Sequence, residues 1–287
     1  MRSFYFYNFC TPASKKFSGI SGCVFAVAYF NNTHNLPINK SKKLSLQHVI
    51  IDDNEQECSN QLYNKFVFWR PMPFIELHVH TKAGSADSSI SVDALGKHAS
   101  EQGTGAILVA EHWRVWTEWE QSGFEAQWGV KLFAALEQTT DEGHFIVIGP
   151  QSGETLPSTA SKLLEYTKNN QYFVIWAHPF RHFFDAVGAS RPPFAMDATL
   201  EELAAHPTFS LVDAIEIENA GCTERENSLA LEVSQLLTKP VTVGSDAHDV
   251  EHIGARRLPI PEIPQDTTEL LELIQSLSLE NMPNLGQ

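Results

Sequence analysis

From residue 75 onward, short apolar runs alternate with longer amphipathic stretches along the chain. Apolar runs of about four to eight residues are typical of buried strands, and a period of about 3.6 residues is typical of surface helices. The runs predict seven strands near residues 75–79, 106–110, 132–136, 145–148, 173–177, 214–218 and 241–244. The amphipathic stretches predict helices over residues 92–102, 158–169, 199–206, 224–237 and 267–277, the last with Asp266 as its N-cap.

This alternation of strands and helices predicts an α/β fold. Parallel strands joined by helices form either an open doubly wound sheet or a closed barrel. In both arrangements the carboxyl ends of the parallel strands lie at one edge, where ligands bind. Gly103 and Gly105 precede the second strand without a third glycine, which indicates a turn that ends a helix and not a dinucleotide-binding loop.

Composition and charge narrow the class of protein. The chain has 287 residues, of which 43% are apolar and 19% charged, so a folded protein with a sizeable core is expected. Its net charge of −15 argues against non-specific binding to nucleic acid or to anionic lipid. Residues 1–71 carry eight basic and four acidic side chains, whereas residues 72–287 carry twelve and thirty-one. We therefore predict a domain over residues 72–287, preceded by an N-terminal extension over residues 1–71.

The extension shows neither periodicity nor motif, and we predict that it is poorly ordered or a non-native addition ahead of Met72. Its longest apolar run, residues 23–30, is far shorter than the roughly 20 residues that span a bilayer, and no export signal is evident. Three of the four cysteines lie in the extension without a Cys-x-x-Cys pair. This pattern argues against a disulfide framework or a thiolate metal site, and it suits a reducing cytoplasm.

Side chains of the types that bind metal ions follow five of the seven predicted strands. They are His78 and His80 after the first strand, Glu111 and His112 after the second, Glu137 after the third, His178 after the fifth, and Asp246 and His248 after the seventh. Alternate residues of a strand point the same way, so His78 and His80 can bind one ion together. In an α/β barrel all of these strand ends converge, which brings distant ligands to one site.

Four short motifs in a fixed order carry a family resemblance. They are His-Val-His-Thr at residues 78–81, Glu-His at 111–112, Ala-His-Pro-Phe-Arg at 177–181 and Gly-Ser-Asp-Ala-His at 244–248. Together they resemble the motifs of the PHP (polymerase and histidinol phosphatase) family, with Glu111 where that family usually has Asp. Residues 134–149, which contain Glu137 and His144, are similar to the family's intervening segment. The resemblance covers about residues 74–257, and it implies a distorted (β/α)7 barrel similar to the TIM barrel.

The resemblance also implies a site of two or three divalent metal ions. Carried over by position, the implied ligands are His78, His80, Asp87, His112, Glu137, His144, His178, Asp246 and His248. Asp87 lies seven residues beyond His80, where the family has a ligand five or six residues beyond, so the loop is longer here. Nitrogen and oxygen ligands without a thiolate suit Zn²⁺, Mn²⁺ or Fe²⁺.

From the resemblance we predict a metal-dependent phosphoesterase that hydrolyses a small phosphomonoester or nucleotide by a metal-bound hydroxide. The implied catalytic residues are Arg181, Asp246 and His248, with Arg181 as a clamp on the phosphate because a guanidinium binds phosphate in a bidentate way. The expected partner is a small phosphorylated substrate; no membrane is expected, and no nucleic acid beyond nucleotides or short oligonucleotides.

Two other functions remain open at this point. The same barrel and ligands can support an amidohydrolase-like activity on C–N bonds, because the fold does not determine which bond is cleaved. The chain can also be a non-catalytic metal-binding module, although its complete ligand set argues against that. A serine hydrolase is excluded at Gly244-Ser245-Asp246, which does not form a G-x-S-x-G motif.

Three weaker features also have two interpretations each. Trp113, Trp116 and Trp119 are spaced by three residues and form either an aromatic wall beside the substrate or part of the core. Residues 182–197 form either a lid or a plain connection. Glu218 either supports a metal ligand or pairs with Arg225.

Overall fold

A computed structural model describes residues 72–185 and 193–280, together with the strand residues 25–26 and 48–49. The chain divides into two compact units, Met1–Arg70 and Pro71–Gln287. In the first unit, β1 (Phe25–Ala26) pairs antiparallel with β2 (His48–Val49). Apart from this pair, the predicted N-terminal extension lies outside the described residues, and its character stays a prediction.

Eight strands of the second unit form one sheet. They are β3 (Phe74–Val79), β4 (Thr104–Glu111), β5 (Lys131–Thr140), β6 (Gly143–Ile148), β7 (Phe173–Ala177), β8 (Ala214–Asn219), β9 (Val241–Gly244) and β10 (Leu258–Pro259). All seven predicted strands are present as β3 to β9, and the short β10 is additional. Their order in the sheet is β10-β3-β4-β5-β6-β7-β8-β9, so consecutive strands from β3 to β9 are neighbours.

The sheet curls into a nearly closed barrel because the segment after β9 returns to β3. Val79 forms a parallel bridge with Ala247. The backbone N–H of Asp246 donates to the carbonyl of His78 (2.8 Å), and the N–H of His80 donates to the carbonyl of Ala247 (3.1 Å). At the other end of β3, the strand β10 pairs antiparallel through Leu258 and Ile75. The prediction of an α/β fold with a distorted seven-stranded barrel is confirmed, and the barrel closes where β3 carries its histidines.

One strand runs against the direction that the sequence analysis assumed. The strand β6 is antiparallel to both β5 and β7, whereas the other neighbouring pairs from β3 to β9 are parallel. Only Asp141 and Glu142 separate β5 from β6, and a parallel crossover needs about a dozen residues or more. The start of β6 therefore lies at the edge where β5 and β7 end, which places His144 at the same mouth of the barrel as the other candidate residues.

Seven helices surround the sheet in the described residues. They are α1 (Val92–Gln102), α2 (Glu118–Trp128), α3 (Ala160–Asn170), α4 (Leu200–Ala204), α5 (Pro207–Leu211), α6 (Glu224–Gln235) and α7 (Thr267–Ser276). The side chain of Asp266 caps α7 as predicted, by accepting from the N–H of Glu269 (2.9 Å). The helices α2 and α5 were not predicted. Among the residues of α2 only Phe124 is buried, so its sequence lacks the apolar stripe that marks most helices.

The core lies inside the barrel and between the barrel and its helices. Its largest group surrounds Trp176, whose ring packs against those of Phe209 (4.6 Å between centroids) and Phe145 (5.6 Å). Phe180 and Phe194, on the segment after β7, stack on each other in the same group (4.9 Å). These contacts fix the outer walls of the barrel and anchor part of the segment beside its mouth. Within the described ranges, no helix is long and apolar enough to cross a membrane.

Candidate metal centre

The nine residues predicted as metal ligands lie together at the mouth of the barrel. Glu137, a buried residue of β5, is at their centre. Its two carboxylate oxygens lie within 3.4 Å of ring nitrogens from five histidines: His78 (3.3 Å), His80 (3.3 Å), His112 (3.4 Å), His144 (3.1 Å) and His178 (3.2 Å). Glu137 was expected just after β5, but this strand continues to Thr140, so the carboxylate projects from within the barrel wall.

The first group of candidate ligands, His78, His80, Glu137 and Asp246, is entirely buried. The Nε2 atoms of His78 and His80 face each other at 3.1 Å. Asp246 Oδ1 lies 3.1 Å from His80 Nε2 and 3.5 Å from His78 Nε2. Two ring nitrogens and two carboxylates therefore converge on one point, which is an arrangement that suits a cation.

The second nitrogen of each of these two rings also has a partner. His78 Nδ1 lies 3.0 Å from Glu216 Oε1, and His80 Nδ1 lies 3.1 Å from the hydroxyl oxygen of Ser85. Partners of this kind hold metal-binding histidines so that the other nitrogen faces the ion. A Cβ at Gly244 would lie 2.3 Å from His78 Cβ and 2.4 Å from Glu216 Oε1, so glycine there leaves room for their contact.

A second group consists of Glu137, His144 and His178. His144 is 27% exposed on its side chain, and its Nδ1 lies 3.1 Å from Glu137 Oε1, so it is not a buried core histidine. His178 follows β7 and is almost fully buried, with Nε2 3.2 Å from the same oxygen. Both rings reach the carboxylate because β6 begins where β7 ends.

A third group contains Asp87, His112 and His248. Asp87 Oδ2 lies 3.4 Å from Nε2 of His112 and 3.4 Å from Nε2 of His248. The ring of His80 lies against those of both His112 (4.6 Å between centroids) and His248 (4.4 Å), which joins this group to the first. The longer loop after β3 thus still carries Asp87 to the mouth of the barrel, where its side chain is exposed.

Two of the candidate ligands have a backbone conformation that residues other than glycine rarely adopt. The φ angle is 28° at His178 and 49° at Asp246, both in the left-handed region. His178 directly follows the end of β7, and Asp246 lies two residues after the end of β9. Such strained conformations cost free energy and occur preferentially at functional sites, where the surrounding structure holds them.

The pKa values in the first group show that this position favours positive charge. Burial alone would raise the pKa of Glu137 and of Asp246, but neighbouring histidines, His78 above all, hold both well below their usual range. Burial alone would lower the pKa of His80, but Asp246 and Glu137 raise it to about 9. Without an ion, protons supply the positive charge, and a divalent cation would replace them. The donor set therefore fits a divalent ion in its charge and in its nitrogen and oxygen atoms.

The predicted phosphate clamp lies beside this group. Arg181 is partly exposed, and its Nη1 donates to Asp246 Oδ2. The guanidinium thus has an acidic partner, and that partner is itself a candidate ligand. Gly221 lies against its Nη2, since a Cβ at that position would come within 3.0 Å. The contact places a positive charge next to the candidate metal ligands, but whether Arg181 binds phosphate stays a prediction.

The structure tests two of the three weaker features, the tryptophan residues and the partner of Glu218, and describes only part of the third, the predicted lid. Trp116 is buried, whereas Trp113 and Trp119 are exposed, so the three rings do not form one wall. Glu218 pairs with Arg256 (3.0 Å) and not with Arg225, whose guanidinium lies over the ring of Phe184. In the predicted lid, residues 186–192 lie outside the described ranges, and its role stays a prediction.

Sequence analysis missed three supporting residues: Ser85, Glu111 as a buried acceptor, and Glu216. Glu216 alternates with isoleucines on β8, and this period of two was a usable sign that its side chain points into the barrel. Besides His78, it accepts from the backbone N–H of His178 (2.9 Å) and from Asn219 (2.9 Å). Glu111 and Ser85 are 26 residues apart, and no periodicity along the chain reveals their contact.

Comparison with known proteins adds a match at the carboxyl-terminal end. Residues 224–278 match the family model described as PHP-associated, which confirms the predicted resemblance to the PHP family in that region. No curated protein matches the chain.

Several solved structures are similar in fold at low sequence identity. One is a two-domain protein from Bacteroides vulgatus that contains a predicted PHP-like metal-dependent phosphoesterase (19% identity, TM-score 0.46, 63% of this chain and 54% of that one). This chain thus spans about half the length of that protein. Another is PsfC from Pseudomonas syringae (16% identity, TM-score 0.45, 70% of this chain and 87% of that one). A third is an amidohydrolase from Chromobacterium violaceum with bound sulfate and no metal (11% identity, TM-score 0.49, 70% of this chain and 96% of that one).

Proposed function

We propose that this PHP-like chain is a metal-dependent hydrolase, and specifically a phosphoesterase that acts on a small phosphomonoester or nucleotide. The observation that carries the proposal is the convergence of three groups of histidines and carboxylates on Glu137 and His80 at the barrel mouth. A structural role would need only one closed group of ligands, whereas adjoining groups with partly exposed members suit a catalytic centre.

Two or three divalent ions are proposed at these groups. The first would be held by His78, His80, Glu137 and Asp246, and the second by Glu137, His144 and His178. The third would be held by His112 and His248 together with Asp87, whose Oδ2 lies 3.4 Å from both rings. When bound, such ions lower the pKa of a water molecule and neutralise negative charge that develops on a phosphoryl oxygen. Zn²⁺, Mn²⁺ and Fe²⁺ all accept this mixture of imidazole and carboxylate ligands.

The chain's own residues bind and orient the substrate. The guanidinium of Arg181, partly exposed and held by Asp246, would donate to two phosphate oxygens. His248, partly exposed, and Asp87, exposed, would be the ligands nearest to the incoming substrate. The buried first group, in contrast, keeps water away from His78 and His80 and holds their rings in place.

The amidohydrolase-like alternative shares the same ligands. What favours a phosphoester is Arg181, because a guanidinium next to the metal groups complements a doubly charged phosphate better than a neutral amide. A cytoplasmic location, a soluble phosphorylated substrate and no membrane partner belong to the same proposal.

The test is hydrolysis by the purified full-length chain after loading with Mn²⁺, Zn²⁺ or Fe²⁺. Phosphate release is measured from nucleotides, sugar phosphates and p-nitrophenyl phosphate, and a panel of amides is assayed in parallel. Asp246→Asn, prepared in the same way, is the matched control for contaminating phosphatases. Phosphate release that the Asn variant lacks supports the proposal. Release from none of the phosphoesters with any of the three ions would overturn it, and amide cleavage alone would establish the alternative.

A further inference from the structure

Glu111 is a buried carboxylate that none of the proposed ion groups uses. It ends β4 with no solvent exposure, and its two oxygens accept four hydrogen bonds. The donors are the Thr81 backbone N–H (3.1 Å), the Thr81 hydroxyl (2.5 Å), the Ser85 hydroxyl (2.7 Å) and the Trp116 indole N–H (3.0 Å). A buried carboxylate without an ion partner is costly, so a role beyond packing is expected of these bonds.

Ser85 connects this carboxylate to two candidate metal ligands. Its hydroxyl oxygen lies 2.7 Å from Glu111 Oε2, 3.1 Å from the backbone N of His112 and 3.1 Å from His80 Nδ1. A hydroxyl has one hydrogen to donate and two lone pairs to accept with. The carboxylate can only accept, so it receives the hydrogen, and the His112 N–H can only donate, so it takes one lone pair. The remaining lone pair leaves His80 Nδ1 as a donor.

This assignment decides which nitrogen of His80 is free to bind an ion. With its hydrogen on Nδ1, the neutral ring has an unprotonated Nε2, and that atom faces Glu137 and Asp246 (3.3 and 3.1 Å). We propose that Glu111, acting through Ser85, is a positioning residue that fixes the tautomer and the orientation of His80 for metal binding. The inference rests on the proposed metal centre, but it does not depend on which bond is hydrolysed.

The two histidines of the first motif are therefore held in place by different hydrogen-bonding partners. His78 contacts the carboxylate of Glu216 directly, whereas His80 reaches the carboxylate of Glu111 through a hydroxyl. Gly84 allows the second arrangement, because a Cβ there would lie 2.7 Å from Glu111 Cβ and would push the loop away. Since Ser85 also binds the backbone of His112, one hydroxyl supports ligands of both the first and the third group.

The test compares three variants of the full-length chain by Co²⁺ titration, with the absorption spectrum of the bound Co²⁺ as a second readout. Ser85→Ala removes the acceptor of His80 Nδ1, and we expect a 10- to 100-fold loss of affinity, about the loss seen when such supporting partners are removed. Glu111→Gln keeps the shape but places an amide where a carboxylate stood. We expect a similar loss and a changed spectrum, because the Ser85 hydroxyl is then free to donate to His80.

Ser88→Ala is the matched control. Ser88 is a buried serine of the same loop, but its hydroxyl donates to the backbone carbonyls of His80 and His248 and not to a ring. We expect its Co²⁺ affinity and spectrum to remain within about twofold of wild type, a smaller effect than a lost ring partner gives. Ser85→Ala and Ser88→Ala with the same affinity and spectrum would overturn the inference. Wild type that binds Co²⁺ but hydrolyses no phosphoester would overturn only the proposed function, and wild type that binds no Co²⁺ would overturn both.

Discussion

His78 Nε2 and His80 Nε2 lie 3.1 Å apart, while the other nitrogen of each ring is engaged by Glu216 or by Ser85. Rings held in this way direct two lone pairs at one point, where carboxylate oxygens also gather. Such a point is stable only if a positive charge occupies it, either protons on the rings or a metal ion. Protons and a divalent ion therefore compete for this point.

Divalent ions should stabilise the folded chain. An ion that binds only the native state contributes about 2.7 kcal/mol when its concentration is 100 times Kd, which corresponds to a rise in Tm of roughly 5 to 10 °C for a domain of this size. The measurement is differential scanning calorimetry of chelator-treated protein before and after addition of Zn²⁺ or Mn²⁺. Identical transitions in both samples would exclude a preformed site for these ions.

Replacing Asp246 by Asn should separate charge from backbone conformation. Asn tolerates the left-handed φ of 49° at this position better than most residues, so the fold should persist, as judged by circular dichroism. The loss of a carboxylate from the first group should remove at least one ion per chain, measured by elemental analysis. Turnover should fall at least about 100-fold, as expected when a metal ligand is lost. Full ion content in the variant would disprove the ligand assignment.

Arg181→Ala should raise KM more than it lowers kcat. The guanidinium is predicted to bind the phosphate in ground state and transition state alike, and losing such uniform binding affects mainly KM. We expect an increase of at least about tenfold with phosphomonoesters, because each of the two lost charge-assisted hydrogen bonds contributes about 1.5 kcal/mol or more. Because Arg181 also contacts Asp246, ion content is measured in parallel. Arg225→Ala is the control, since Arg225 stacks on Phe184, and an equal KM effect there would contradict the clamp.

A chain that begins at Met72 should fold and bind ions. All residues of the two core clusters described lie after Met72, and so do all nine candidate ligands. We expect the shortened chain to melt within about 2 °C of the full-length chain, because a barrel that keeps both described core clusters should change in stability by less than about 1 kcal/mol. An insoluble or ion-free product would show that residues 1–71 are required.

The sequence predicted the strands well because each buried strand is a short apolar run. It also predicted that the candidate ligands lie together, because they follow those runs. It failed where polar residues belong to a strand: Gln138, Thr139 and Thr140 extend β5 at the open mouth of the barrel, so the reversal into β6 went unnoticed. It also failed at α2, which buries a single side chain.

Contacts between side chains far apart in the chain also could not be predicted from the sequence. The hydrogen bond from Ser85 to Glu111 joins the loop after β3 to the end of β4. The contact between Glu216 on β8 and His78 on β3 passes over Gly244 of β9, where the barrel closes. Periodicity shows which face a residue occupies but not which partner it meets there. The partners in such supporting contacts are known only from the three-dimensional structure of the closed barrel.

Gly244→Ala should damage the centre without replacing a candidate ligand. A methyl group there would meet His78 Cβ at 2.3 Å and Glu216 Oε1 at 2.4 Å, in a fully buried strand that cannot relax freely. We expect a loss of about 1 to 3 kcal/mol of stability, from overpacking, and weaker ion binding because the Glu216 contact that holds His78 is disturbed. Gly123→Ala is the matched control: this glycine lies within α2 with open space around its Cβ position, and alanine there should stabilise by about 0.5 to 1 kcal/mol. Urea unfolding and Co²⁺ titration of both variants measure the two effects, and normal ion affinity in Gly244→Ala would show that the contact between Glu216 and His78 is not needed for binding.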